Sequence, residues 1–212
     1  VYNEMKGAFS SPDEVLEREI MNHLFPETTY GCESGGDPKN IPDLTYENFL
    51  NFHRTYYHPS NSYIYLYGNM DMEEKLAFLD EHYLSHFDYL DVDSVIQEQK
   101  AFGACQDVTL EYPVAENEGE EDNTYLSYNM VVGNAADSQM AMAFEVLDYA
   151  LLSAPGAPLK QALLDVKAGK DVYGSYDDGI LQPYFTVIAK GSNPDRKEEF
   201  VSVIRQVLGD IV

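Results

Sequence analysis

Two histidines four residues apart, His82 and His86, are the first candidates for metal chemistry in the sequence. At this spacing both side chains would lie on one face of a helix, as they do in helices that bind zinc. A hydrolytic zinc site also needs a carboxylate that takes a proton from the metal-bound water, and no glutamate lies between the two histidines. We therefore interpret the pair as the C-terminal end of a helix, where imidazoles interact favourably with the helix dipole.

Other titratable groups give weaker signals. His53 and His58 are five residues apart, a spacing that a helix does not align, so core packing and a hydrogen bond at a helix end are their expected roles. Asp177-Asp178-Gly179 lacks the remaining ligands of a calcium loop. The sequence contains no glycine-rich phosphate loop, no nucleophile elbow and no basic aromatic patch. Taken alone, these residues predict no complete catalytic site.

The elements that would position these side chains are a mixture of helices and strands. Thr45, Asp71 and Asp137 each precede a run with apolar residues every three or four positions, which predicts a capped amphipathic helix. Ser11-Pro12-Asp13-Glu14 resembles a capping box with proline in the first helical turn. Five runs are typical of strands: 62–67, 108–114, 124–132, 172–176 and 184–190.

From residue 108 onward the predicted order is ββααββα, with the acidic segment 115–123 as an exposed hairpin loop. This order is typical of an α+β fold in which helices cover one face of a mostly antiparallel sheet. Periodicity is weak between residues 88 and 107, and we place a linker at 91–107. The predicted organisation is therefore a first domain over 1–90 and a second over 108–212.

Charge limits the partners of this chain. With 37 acidic and 13 basic residues, its formal charge is −24 and its pI about 4.2. Nucleic acids and anionic membranes are polyanions, so neither is expected as a partner. Such a surface would attract basic peptides, although it would also serve simply to keep the protein in solution. An apolar content of 44% is ample for a hydrophobic core.

A few features of the sequence bear on the cellular compartment and on whether the chain is part of a longer polypeptide. Cys32 and Cys105 have no metal-ligand spacing, which favours free thiols in a reducing compartment and predicts a cytoplasmic protein. No signal peptide or apolar run of membrane length occurs in the 212 residues. The first residue is Val1, so we expect an internal piece of a longer polypeptide.

Two stretches carry a family resemblance. They are VYNEMKGAFSSPD at 1–13 and the longer pattern from 34 to 71, SGGDP, IPDLTYENF, FHRTYYHPSNSYIYLYGNMD. Together they resemble the presequence-protease branch of the insulinase/pitrilysin zinc metallopeptidases. The resemblance implies α+β domains of the insulinase and mitochondrial-processing-peptidase type, which repeat around a closed chamber. Residues 1–90 would then be the C-terminal part of a first domain, and 108–212 the N-terminal part of a second, both incomplete here.

The resemblance also implies one site residue, Glu4. Members of this family bind zinc through His-x-x-Glu-His and a distal glutamate, and VYNEMKG resembles the segment that holds this glutamate. Zinc accepts nitrogen and carboxylate ligands and leaves one position for water. No His-x-x-Glu-His occurs in this chain, so we expect Glu4 as a metal ligand, no catalytic residue, and no activity from the chain alone.

The chain is expected to be a fragment of a zinc-dependent metalloendopeptidase that degrades short or unfolded peptides, including basic ones. Its expected partners are those peptides and the remaining domains of the same polypeptide. The alternative is a catalytically silent homologue that acts as a peptide-binding or scaffolding domain. A His-x-x-Glu-His motif about a hundred residues upstream, the family's spacing, would decide for the enzyme. A third possibility is an unrelated α+β protein that binds basic peptides. In that case the long motif match would have arisen by chance.

Overall fold

In the computed structural model, residues 1–114 and 119–211 are described. Their contacts divide the chain into a first unit, Val1–Gly35 with Gln97–Val212, and a second unit, Gly36–Ile96. This division differs from the predicted segments 1–90, 91–107 and 108–212, because residues 1–35 share contacts with the C-terminal half. The assignment of those segments to two homologous domains stays a prediction.

Among the described residues, the first unit contains five α-helices and three β-strands. They are α1 (Tyr2–Ala8), α2 (Pro12–Leu24), β1 (Thr124–Val131), α5 (Ser138–Asp148), α6 (Pro158–Asp165), β2 (Asp171–Asp177), β3 (Tyr184–Ser192) and α7 (Lys197–Ile211). The helices α3 (Tyr46–Tyr56) and α4 (Met72–His82) belong to the second unit. A single π-helical stretch, Tyr149–Ser153, continues α5. Asp137 caps α5 by accepting a hydrogen bond from the Met140 amide at 3.0 Å, as predicted.

The sheet is antiparallel in the order β1-β3-β2. β3 is the central strand, and its alternate side chains Phe185, Val187 and Ala189 are buried in the main core. The helices supply the other side of this core with fully buried side chains, among them Leu159, Leu163, Phe200 and Ile204. The predicted α+β arrangement of helices on an antiparallel sheet is therefore confirmed.

The opposite face of the sheet is covered by α2, which the sequence analysis did not foresee. Phe25, just after α2, is completely buried and its ring lies 5.9 Å from that of Tyr30 and 6.2 Å from that of Tyr184 on β3. Aromatic rings at these distances in edge-to-face geometry attract each other. Ile20 of α2 is also buried. The N-terminal segment is thus a layer of the first unit.

The second unit has two helices, α3 (Tyr46–Tyr56) and α4 (Met72–His82), and short 3₁₀ turns. The predicted caps are present: the Asn48 amide donates to Thr45 at 3.1 Å, and the Glu74 amide donates to Asp71 at the same distance. However, no residue from 36 to 96 is buried. The apolar stripe of α3 faces solvent, with Tyr46 77% and Phe49 65% exposed.

Two predicted strands are absent from the described residues. Residues 62–67 are extended at their start, with φ −139° and ψ 154° at Ser62, and the Tyr65 and Tyr67 rings stack 6.5 Å apart, as alternate residues of a strand would. No neighbouring strand pairs with them in the described part of the chain, so no strand forms. Residues 108–114 also form no strand. Part of the predicted hairpin loop, 115–118, lies outside the described residues.

Candidate functional site

Glu4 lies in the first turn of α1, a helix of seven residues with no buried side chain. Its side chain is exposed and makes no hydrogen bond or ion pair with any residue that the structure describes. A solvent-facing carboxylate without a partner is free to bind a cation. The chemistry of this donor fits zinc, which accepts a carboxylate oxygen as one of its ligands.

Contacts hold α1 at its middle and just after its C-terminal end. Toward the C-terminal end, the Arg18 guanidinium lies 3.6 Å from the centre of the Phe9 ring, and the Arg18 side chain is only 13% exposed. Arginine over an aromatic ring in this position is an attractive cation–π contact. In the middle of α1, Met5 lies against Gly35, which follows Ser34 in the turn that joins the two units. Met5 is the residue next to Glu4.

A complete zinc site is not assembled by the described residues. In residues 1–114 and 119–211, no three side chains of histidine, cysteine, aspartate or glutamate are grouped so as to hold a metal ion. His82 is the last residue of α4, and His86 lies in a separate 3₁₀ turn, Leu84–His86. Because α4 ends between them, the two histidines are not on one continuous helix. His82 contacts the Phe78 ring at 4.7 Å instead.

The other candidate groups have structural partners. His53 is exposed and stacks on Tyr57 at 4.7 Å, so the predicted core position is wrong. The Ser60 amide donates to Nδ1 of His58 at 3.1 Å, so His58 caps the start of the 3₁₀ turn Pro59–Asn61 and not the end of α3. Asp177 accepts from the Gly179 amide at 3.0 Å and from the Tyr184 hydroxyl at 3.2 Å, and thereby shapes the connection between β2 and β3.

The main ionic cluster of the first unit was missed by the sequence analysis. Asp13 in the first turn of α2 lies 2.9 Å from the Lys190 ammonium on β3, and the hydroxyls of Tyr125 and Tyr173 each donate to it at 3.4 Å. The hydrogen bond from Lys190 lowers the pKa of Asp13. Burial, with the nearby Asp13 charge, raises the pKa of Tyr173 to about 12. Ser11, the expected cap, makes no side-chain capping bond.

A second polar cluster surrounds Gln99, which is 7% exposed and lies within the predicted linker. Its Oε1 accepts from the Glu27 amide at 2.9 Å, and its own amide donates to Oε1 of Gln182 at 2.6 Å. Gln182 in turn donates through Nε2 to the Gln99 carbonyl at 3.3 Å. Gln99 therefore links the segment after α2 to the connection between β2 and β3. No local sequence pattern marks a glutamine for this role.

No helix in the described part of the chain is long and apolar enough to cross a membrane. The two cysteines, Cys32 and Cys105, are both free and exposed.

Comparison with known proteins gives a consistent family relationship. Residues 43–212 match the family described as the Peptidase M16 inactive domain. The chain is 48% identical over 212 residues to Protein HypA of Clostridium perfringens, covering 100% of this chain and 22% of that protein. It is 37% identical over 212 residues to Presequence protease 1, chloroplastic/mitochondrial, of Arabidopsis thaliana, covering 98% of this chain and 20% of that protein.

A solved structure agrees at the level of the fold. The chain is similar to an M16-like peptidase from Alicyclobacillus acidocaldarius, with a TM-score of 0.59, 18% sequence identity, and coverage of 99% of this chain and 48% of that one. The chain spans about a fifth of the length of the curated relatives it matches.

Proposed function

The chain belongs to the M16, or insulinase-type, family of peptidases, and on this premise we propose that it takes part in a zinc-dependent metalloendopeptidase acting on short or unfolded peptides. Its proposed contributions are one zinc ligand, Glu4, and a part of the wall around the substrate. The remaining domains of the same polypeptide would supply the other ligands and the general base.

The observation that carries this proposal is the state of the Glu4 carboxylate. It is exposed, has no partner among the described residues, and lies in the segment VYNEMKG that resembles the distal-ligand segment of the family. The zinc ion, when bound, would supply Lewis acidity that lowers the pKa of a bound water toward about 7. What Glu4 itself does is to donate a carboxylate oxygen and one negative charge to the cation.

The exposed second unit supports a larger polypeptide as partner. A stretch of 61 residues with no buried side chain cannot stabilise itself, because burial of apolar surface is the main favourable term in folding. Tyr63, Tyr65 and Tyr67 are each more than 80% exposed, and the segment that holds them is extended without a neighbouring strand. Pairing with a strand from the remaining polypeptide would satisfy this backbone and cover these side chains.

A second candidate is a catalytically silent homologue that binds or holds peptides. It is favoured by the description of the matching family as an inactive domain over residues 43–212. Glu4 precedes this matched range, so the description leaves its proposed role untouched. The net charge of −24 suits basic peptides in either case. We also propose a cytoplasmic location, which two exposed free cysteines support.

The test uses the full-length polypeptide and its Glu4→Gln variant. Glutamine keeps the shape of the side chain but removes the anionic ligand, so zinc content and peptide turnover should fall together. The matched control is His82→Ala/His86→Ala, which should keep parental zinc content because the two histidines do not share one helix. Zinc is measured by atomic absorption, and turnover with a basic, unstructured peptide.

Two results would contradict the proposal. A Glu4→Gln protein with full zinc and full activity would remove Glu4 from the site. A parental polypeptide that contains no zinc and cleaves no peptide would favour the silent homologue.

A further inference from the structure

We propose that Asp148 makes the packing of α5 on β2 depend on pH. With a neutral carboxyl group α5 packs closely on β2, and with a charged one the packing loosens at the π-helical stretch that follows. This role does not depend on Glu4 as a zinc ligand. It gives a regulatory residue to a part of the first unit that the proposed function leaves without one.

Asp148 lies in the middle of the face that α5 presents to β2. Phe144, four residues earlier, stacks its ring on that of Tyr176 at a distance of 5.4 Å. Leu152, four residues later, is buried, and a Cβ placed on Gly174 of β2 would lie 2.6 Å from its Cδ1 atom. Side chains four residues apart share one face of a helix. The carboxyl group therefore lies between two apolar side chains that both pack on β2.

One oxygen of this carboxyl group is removed from water without gaining a donor. Oδ1 of Asp148 is completely buried and accepts no hydrogen bond from any residue that the structure describes. A charged group in such a place is costly, because it loses its solvation by water and receives no hydrogen bond in return. Burial accordingly raises the pKa of Asp148.

The elements around Asp148 supply no free positive charge. Residues 124–159, which include α5 and the π-helical stretch, contain no Lys, Arg or His, and neither does β2. On α6, which packs against the π-helical stretch, the Lys160 ammonium lies 3.7 Å from Asp171 instead. The other titratable side chains near this position are acidic, namely Glu145, Tyr149 and Tyr176, with Asp137 and Asp178 near Tyr176 and Asp165 on α6. Nothing among these groups compensates a negative charge on Asp148.

The π-helical stretch Tyr149–Ser153 is the point at which the packing can loosen. It starts directly after Asp148, and its wider turn brings two consecutive side chains, Leu151 and Leu152, into the core. A single π-helical turn within a helix is rare and is found frequently at functional sites. Movement of a charged Asp148 toward solvent would displace both leucines, since they follow it within one turn.

The direction of the pH effect follows from the raised pKa. The cost of the charge is present at neutral pH and decreases as the pH falls through the pKa of the packed state. It is absent below the ordinary aspartate value of about 3.9, where the group is neutral in both states. Mild acidification should therefore tighten α5 on β2.

The experiment measures hydrogen–deuterium exchange of residues 149–154 in the full-length polypeptide by mass spectrometry, at about pH 7.5 and about pH 4.5. Asp148→Asn keeps the shape of the side chain and removes its charge. At about pH 7.5 it should slow this exchange about 10-fold for each unit by which burial raises the pKa, and the difference from the parent should shrink at about pH 4.5. Parent and variant are compared at the same pH, which cancels the pH dependence of the exchange reaction itself.

Glu145→Gln is the matched control. It removes one negative charge from an exposed position of the same helix and should leave the exchange of residues 149–154 unchanged at both pH values. If Glu145→Gln slows exchange as much as Asp148→Asn does, net charge and not burial at residue 148 controls the helix, and the proposal fails.

Three other results would overturn the proposal. Parental exchange in Asp148→Asn at about pH 7.5 would show that the buried oxygen carries no cost. Faster exchange in this variant would show that the carboxylate has a stabilising partner in the complete polypeptide. A slowing that is equally large at both pH values would exclude titration of Asp148 as its cause. If Asp148→Asn does not fold, Asp148→Ala replaces it, with the same expected results.

Discussion

The Lys190 ammonium lies 2.9 Å from the Asp13 carboxylate and joins residues that are 177 positions apart in the chain. The pair connects the first turn of α2 to the central strand β3. Tyr125 and Tyr173 donate to the same carboxylate, so four side chains from one helix and three strands meet at this point. The contact thereby ties the N-terminal helix α2 to all three strands of the sheet.

Replacing Lys190 with methionine should destabilise the first unit by about 0.5–1 kcal/mol, because the two side chains are 44% and 45% exposed and solvent screens their attraction. Methionine keeps much of the apolar stem and removes the charge. The free energy of unfolding is measured by urea titration with tyrosine fluorescence, since the chain has 17 tyrosines and no tryptophan. Lys160→Met is the control: its ammonium lies 3.7 Å from Asp171, with the aspartate side chain 63% exposed, and little change is expected.

The same carboxylate predicts a pH dependence. The folded-state pKa of Asp13 is lowered by the Lys190 hydrogen bond, so its contribution to stability is present above the unfolded-state pKa of about 3.9 and is lost as pH falls through the folded-state value. The stability difference between the parent and Asp13→Asn should therefore be largest near neutral pH and shrink below about pH 4. A difference that stays constant from pH 7 to pH 3 would contradict this assignment.

Gln99→Ala should cost about 1–3 kcal/mol of folding free energy, because it leaves the Glu27 amide without its acceptor at a buried position. The hydrogen bonds of Gln182 go to the backbone of residue 99 and are kept. Gln97→Ala, two residues earlier and exposed, is the matched control and should change stability by less than about 0.5 kcal/mol. Urea unfolding of both variants checks the difference. If both variants lose the same amount of unfolding free energy, the Gln99 side chain makes no specific contribution to stability.

Limited proteolysis of the 212-residue chain should cut first within residues 36–96, where no side chain is buried. In the full-length polypeptide the same segment should resist cleavage, if the remaining domains cover it. Mass spectrometry of the early products locates the cuts. First cuts inside α7, whose Phe200 and Ile204 are in the core, would show that the packing of the first unit is misjudged.

Several local signals in the sequence agree with the structure, although the expected cap at Ser11 does not form. Thr45, Asp71 and Asp137 were predicted as helix caps and each accepts the expected backbone hydrogen bond, because a cap depends on residues within one helical turn. The strands at Thr124–Val131 and Tyr184–Ser192 were also predicted, since alternation is a local pattern.

Non-local relationships could not be read in the same way. The run 62–67 has the alternation of a strand but has no neighbour in the described residues, and a strand exists only when another pairs with it. Three contacts of the first unit join residues that are 30 to 177 positions apart in the sequence. They are Asp13 with Lys190, Gln99 with Glu27, and Gly35 with Met5. The proposed role of Glu4 rests on the family resemblance, because a lone exposed carboxylate has no local signal of function.

The burial of Phe25 has a consequence for the synthesis of this protein. Its ring is completely covered only when Tyr184 and the rest of β3 are present. At about 5–20 residues per second, a ribosome needs about 8 to 32 s to translate the 159 positions from Phe25 to Tyr184. During that interval Phe25 lacks its partner on β3, so we expect the nascent segment around α2 to depend on a chaperone that binds exposed apolar side chains.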